Sequence, residues 1–326
     1  MRALIARWVQ LWDLHERADS LAIIRIGIAL VVLWDFAAVG QLGLVAPLWA
    51  PIEEGGIGPA AYGVPSCWFY ERFGASAFNA GLLFTFACIS AVSLCIGFRT
   101  RASALVLLLV SSQLAQLSPG SDRGIDTLLR NVLMILVFAQ AGATLSVDAR
   151  QRTGGWVSAA QVPAWPRYLI VLQLVVMYFS AGMHKQSQAW TSLGGYSALY
   201  LVLHQPHFAA FTLPHEWLVA LRPMLRASTF VSVWFERLAI LVPWLLWLRA
   251  TRDRPGRVRA IMNRVRLLEI WIALGLTFHL GLSLSLLLGI FPWGCIALYP
   301  AFFSPETLRD AWTRLELRLK PRVIAR

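Results

Sequence analysis

Lysine is the scarce cation of this chain: of 29 basic residues only Lys185 and Lys320 are lysine, and all the others are arginine. Arginine keeps its proton under ordinary conditions, whereas a lysine in a desolvated pocket can lose it and act as a base. Lys185 follows an apolar run that ends near Met183, so its chemical reading competes with a plainer one, an ammonium snorkelling to a membrane interface. Other ionisable residues lie inside apolar runs, where a charge costs about 2.5 to 3.5 kcal/mol on insertion scales and therefore marks a functional group or a buried pair. Arg25 and Asp35 share one such run. Ten helical residues separate them by about 15 Å along the axis and roughly 80° around it, so each needs a partner elsewhere. Asp126 and Arg130 have the i,i+4 spacing of an intrahelical pair. Glu236, beside Arg237, and His279, between Phe278 and Leu280, have no partner nearby in sequence. The chemistry on offer is proton transfer, with Lys185 as base and Glu236 and His279 orienting it or relaying protons.

Only helices in a bilayer would hold these groups. The chain has 326 residues, 58% hydrophobic and 14% charged, with a mean hydropathy of +0.61, outside the range of soluble domains. Runs long enough to cross about 30 Å of hydrocarbon lie at Leu21–Val45, Ala75–Gly97, Ala102–Leu117, Thr127–Leu145, Pro166–Met183, Thr229–Leu248 and Leu267–Ile290. A further run, Trp293–Phe303, has 11 residues and reads as re-entrant or as a half-span. The expected fold is an all-α polytopic transmembrane helical bundle of 7 to 8 spans. Interfacial amphipathic helices are expected over 1–20, where Leu4, Ile5, Trp8, Val9, Leu11 and Trp12 share a face, and over the basic tail 306–326, with 21–305 as the membrane domain. Ser304 and Pro305 supply the start of that tail helix.

The net charge of +12 does not point to nucleic acid, because the arginines sit in short loops beside apolar runs, as the positive-inside rule requires. The partner it points to is the lipid bilayer. Lysine and arginine number three in 1–20, one in 46–74 and seven in 249–266. The N-terminus and the 249–266 loop are therefore expected in the cytoplasm, which the six runs between them allow. Segment 181–228, with His184, His204, His207, His215, Trp190 and Trp217, then falls on the outer face. The six basic residues after Phe303 favour a cytoplasmic tail, which requires the Trp293–Phe303 stretch to traverse. No metal site is expected. Pro206 keeps His204 and His207 off a regular helical face, and Cys67, Cys88, Cys95 and Cys295 have no ligand or redox spacing.

The run Tyr178-Phe179-Ser180-Ala181-Gly182-Met183-His184-Lys185, followed by Trp190 and Gly195-Tyr196-Ser197, resembles a motif of the vitamin K-dependent γ-carboxylase family. The same pattern occurs in that family's bacterial relatives, the horizontally transferred transmembrane domain proteins. Arg25 with Gly27 and Asp35, Ser146-Val147-Asp148, Glu236, Phe278-His279, and Gly289-Ile290-Phe291-Pro292 leading to Ser304-Pro305-Glu306 extend the resemblance in order over about residues 20 to 310. It implies a membrane-embedded site on the outer side of a bacterial cell membrane. There a lysine matching Lys185 would deprotonate a reduced quinone. Trp190, Arg25, Asp35, Asp126 and Arg130 are the residues expected to shape the site. The carboxylases' catalytic histidine has no counterpart in Ser118–Asp126, and their large lumenal domain has none in this sequence. A shorter relative, the membrane protein of the sporulation-delaying toxin operon, is similar in length and implies an alternative: a non-catalytic accessory for maturation, export or immunity of a secreted peptide.

Overall fold

The computed structural model describes residues 13–57 and 67–319, with side chains to 314. The described residues are mostly helical, with one short antiparallel ribbon, β1 (His15–Arg17) paired with β2 (Gln161–Pro163), in which Glu16 faces Val162. The helices are α1 (Asp19–Gln41), α2 (Val45–Trp49), α3 (Trp68–Phe73), α4 (Ala77–Ile96), α5 (Thr100–Leu117), α6 (Gly124–Phe138), α7 (Val147–Thr153) and α8 (Trp165–His184). They continue as α9 (Ala198–Val202), α10 (His215–Arg237), α11 (Val242–Ala250), α12 (Arg257–Val265), α13 (Leu267–Ser285), α14 (Phe291–Leu298) and α15 (Pro305–Leu319). Among the described residues six helical segments are long and apolar enough to cross a membrane: α1, α4, α5, α8, His215–Ala250 and Arg257–Ser285. Their side chains are largely exposed in the isolated chain, as lipid-facing surfaces must be. The protein is thus an integral, multi-pass membrane protein.

The described residues gather into two compact units, one from 1–170 with 297–326 and the other from 171–296. In the first, α4 packs between α1 and α5, and α5 also packs on α6. Ala80, Ala87 and Ala91 of α4 are fully buried, a small-residue seam that lets neighbouring backbones approach where packing, not water exclusion, drives association. Ser76 caps α4 by accepting from the Asn79 amide, and Gly97 ends it in the left-handed region.

Several boundaries differ from those read in the sequence. The run Thr127–Leu145 is a helix only over Gly124–Phe138. At about 1.5 Å per residue it spans some 22 Å. Its apolar continuation forms a loop whose carbonyls are taken by Arg25. Helix α10 begins at His215, well before the expected Thr229. Its first turns are amphipathic, burying Leu218 and Leu225 against Leu203. Pro223 lies inside α10, and a 3-10 stretch, Leu238–Leu241, leads into Pro243 of α11. Most of the helix expected over 1–20 lies outside the described residues, and the part that is described includes β1 rather than a continuing helix.

The Trp293–Phe303 stretch is α14 followed by a 3-10 turn, Tyr299–Phe302. Gly27 makes room for it: a Cβ there would lie 3.0 Å from the Ala297 Cβ. Beyond it, Ser20 Oγ donates to the Phe303 carbonyl at 3.3 Å and Arg167 to that of Ala301 at 2.9 Å, while Arg309 of α15 lies 4.0 Å from Asp19. The tail helix therefore returns to the end of the first unit where α1 begins.

Candidate functional site

In the second unit Lys185, one residue past α8, forms an ion pair with Glu236 in the penultimate position of α10. The Glu236 side chain is 6% exposed and that of Lys185 is 19% exposed. The carboxylate is thus buried while the amine keeps an opening. The ammonium also sits 4.8 Å from the centroid of Trp190, within the range of a cation–π contact. These three sequence candidates form one cluster. Trp190 is brought over Lys185 by a tightly wound loop of two 3-10 turns, Gln188–Trp190 and Ser192–Gly194. A Cβ on Gly194 would fall 2.4 Å from the Gln188 carbonyl oxygen, so glycine is required there. Arg226 of α10 closes the loop by donating to the Gly195 carbonyl.

Two neighbours make the pairing geometrically possible. At Gly182 a Cβ would lie 2.8 Å from the Arg237 amide nitrogen and 2.9 Å from the Glu236 Cβ, so α8 and α10 approach at that point only because the residue is glycine. Arg237 then ties the end of α8 down, donating through Nε to the Gly182 carbonyl at 3.0 Å and through Nη2 to that of Lys185 at 3.1 Å. Arg237 stands next to Glu236 in sequence, but its task is visible only once α10 lies against α8.

His279 of α13 partners Tyr178 of α8, with 2.6 Å between the phenol oxygen and Nε2, both groups buried. Phe235 and Trp271 lie 5.1 and 5.8 Å from the Tyr178 ring, and Phe278 and Phe291 lie 5.1 and 5.8 Å from His279. Tyr178 precedes Lys185 by seven residues, about 10 Å along a helix. The two clusters therefore lie along the last turns of α8 and just past its end, about two turns apart.

The remaining candidates lie in the first unit. Arg25 is fully buried and donates to the carbonyls of Ala141 at 2.9 Å and Leu145 at 2.5 Å. It borders a knot in which Asp148 accepts from the Arg99 and Thr100 amides at 2.8 Å and from the Thr100 hydroxyl at 2.7 Å, capping α5. Asp35 pairs with Arg123 at 2.6 Å. The expected Asp126–Arg130 pair is not formed. Asp126 instead accepts from Arg123 at 2.8 Å and caps α6, while Arg130 engages Asp122 through two bonds of 2.7 and 2.6 Å. The turn before α6 supplies a partner for each member of the i,i+4 pair, and a forked guanidinium gains a second bond from Asp122. Burial works against the Arg123 guanidinium, but its hydrogen bonds to Asp126 and Asp35 outweigh it and hold its pKa above the ordinary arginine value. Among the described residues no group of three or more His, Cys, Asp or Glu is placed to hold a metal ion.

The comparison with known families matches the HTTM domain over residues 15–307, nearly the whole chain. This protein belongs to the HTTM domain family. No solved structure matches it. The HTTM match spans both units and every candidate named above. Asp122, Arg123, Tyr178 and Gly182 are the participants that residue-by-residue reading passed over as such. Their signal is in the sequence only as adjacency: to Asp126, or within the Tyr178–Lys185 run.

Proposed function

We propose that this HTTM protein is a carboxylase-like membrane enzyme in which Lys185 is the base. The observation that carries the reading is the Lys185–Glu236 pair, roofed by Trp190 and open on the lysine side. A proton passed from Lys185 to the Glu236 carboxylate leaves a neutral amine where the ammonium was. That exchange removes two charges at once and leaves a lone pair on the amine. Arginine at the same place could not make the exchange. Arg237 holds the backbone of Lys185 through its carbonyl, which fixes the point from which the side chain extends. The donor set fits a reduced quinone: a base within reach of a hydroxyl, beside an aromatic face. Such a quinol would bring reducing equivalents to the site. The arginine distribution supports a cytoplasmic N-terminus, and with α6 crossing in addition to α1, α4 and α5, α8 ends with Lys185 on the outer side.

The test is oxygen-dependent consumption of a reduced quinone by the purified protein in nanodiscs. Lys185→Arg should lower the rate about a hundredfold or more, the usual share of a positioned base, with the helical content and thermal midpoint of the parent. Undiminished turnover by that variant would overturn the base role. Absence of turnover in the parent would leave the accessory reading, service to a secreted peptide, in its place.

A further inference from the structure

Helix α12 exposes apolar side chains beside a cluster of arginines. It follows the spanning segment His215–Ala250, which α11 ends, after only Thr251–Gly256, and with α13 it makes up the next segment, Arg257–Ser285, parted from α13 by Arg266. The 19 residues of α13 are enough to cross by themselves, which leaves α12 for the membrane surface. Arg266 takes a left-handed conformation, φ 55°, which breaks α12 from α13 and lets α12 turn along that surface. One side of α12 is docked. Asn263 donates to the Leu248 carbonyl at 3.0 Å, Arg259 donates to Thr251 Oγ1 at 3.0 Å, and the Arg259 guanidinium lies 5.0 Å from the Trp247 ring. The opposite side is not: Val258, Ile261 and Val265, spaced to form one stripe, are each 53% exposed. Arg257 and Arg264 flank that stripe and Arg266 follows it, all exposed. The segment 249–266 holds seven arginines against a single carboxylate, Asp253. The ion pairs Arg249–Glu269 and Arg252–Asp253 leave the arginines around the stripe facing outward.

We propose that α12 is a membrane-surface foot that takes anionic phospholipid headgroups, its Val258–Ile261–Val265 stripe entering the acyl boundary while Arg257, Arg264 and Arg266 bind the phosphates. An apolar stripe alone would accept any lipid. The flanking arginines select anionic ones, since a negatively charged leaflet attracts surface arginine within about a Debye length. This foot is independent of the chemistry at Lys185.

The experiment is amide hydrogen exchange of the full-length protein in nanodiscs of phosphatidylcholine alone or mixed with phosphatidylglycerol. Exchange over 257–265 should slow about tenfold in the anionic discs, and high salt should shrink that gain. The Arg257→Gln/Arg264→Gln variant should lose the gain while α13 keeps its parental protection, which separates loss of lipid contact from misfolding. Equal exchange in both lipids, a gain that survives in the variant, or the same protection from inorganic phosphate in phosphatidylcholine discs would each overturn the proposal.

Discussion

Arg25 and Lys185 each bring a cation into apolar surroundings, one in each unit, and their partners differ in kind. Arg25 is fully buried and spends its guanidinium on the backbone carbonyls of Ala141 and Leu145. Lys185 meets a side-chain carboxylate and an indole face, and keeps part of its surface open. A guanidinium is planar, always charged and able to bridge two acceptors, so it suits a loop whose carbonyls have no helical partners. An amine opposite a carboxylate can exchange a proton with it. The difference teaches that a buried cation held by carbonyls is fixed in its charge, whereas one facing a carboxylate has a partner that can take its proton.

The contrast can be broken most directly at Arg25. Arg25→Met should cost about 3 to 6 kcal/mol, the loss of two charge-assisted bonds and two buried carbonyls left unsatisfied. The thermal midpoint in detergent measures it, and a change within error would remove Arg25 from the structural class. At the second cation, Glu236→Gln leaves Lys185 without its counter-charge and should cost about 3 kcal/mol, whereas Lys185→Met/Glu236→Leu together should cost less than that single change. A double-mutant cycle of thermal stabilities decides, and a pair change worse than the single would mean that the ion pair is itself a principal stabiliser.

The glycines that admit each cation sharpen the comparison on a smaller scale. At Gly97, φ is +70° and an added Cβ would fall 2.4 Å from Ser146 Cβ and 2.7 Å from Arg25 Nη1, so Gly97→Ala should cost about 3 kcal/mol. Gly182→Ala should cost about 1 to 2 kcal/mol in stability. Because it pushes α10 from α8, it should lower Lys185-dependent turnover by more than the stability loss explains. Smallest is Tyr178→Phe, about 1 kcal/mol for one hydrogen bond. If it instead abolishes turnover while the fold stands, the Tyr178–His279 pair belongs to the chemistry and not to helix registration.

Much of this was legible in the residues. Lys185 stood out because nearly every other cation is arginine, and Glu236 because an apolar run does not tolerate an unpaired carboxylate. The i,i+4 pair of Asp126 and Arg130 misled because spacing within a helix says nothing of the turn before it, where Asp122 and Arg123 compete. The length of α6 misled for a similar reason: hydropathy over Ala139–Leu145 cannot register that Arg25 needs those carbonyls.

Hydropathy and the placement of arginine, properties of local sequence, determined that the chain is a helical membrane protein and which polar groups need an explanation. Which group answers which was decided by tertiary structure alone. Lys185 and Glu236 are 51 residues apart and Tyr178 and His279 are 101 apart, and their meeting depends on helices touching at a particular height. Gly182 sets that height for α8 and α10, because close approach is a matter of atomic volume at one contact and leaves no trace in the periodicity of either helix.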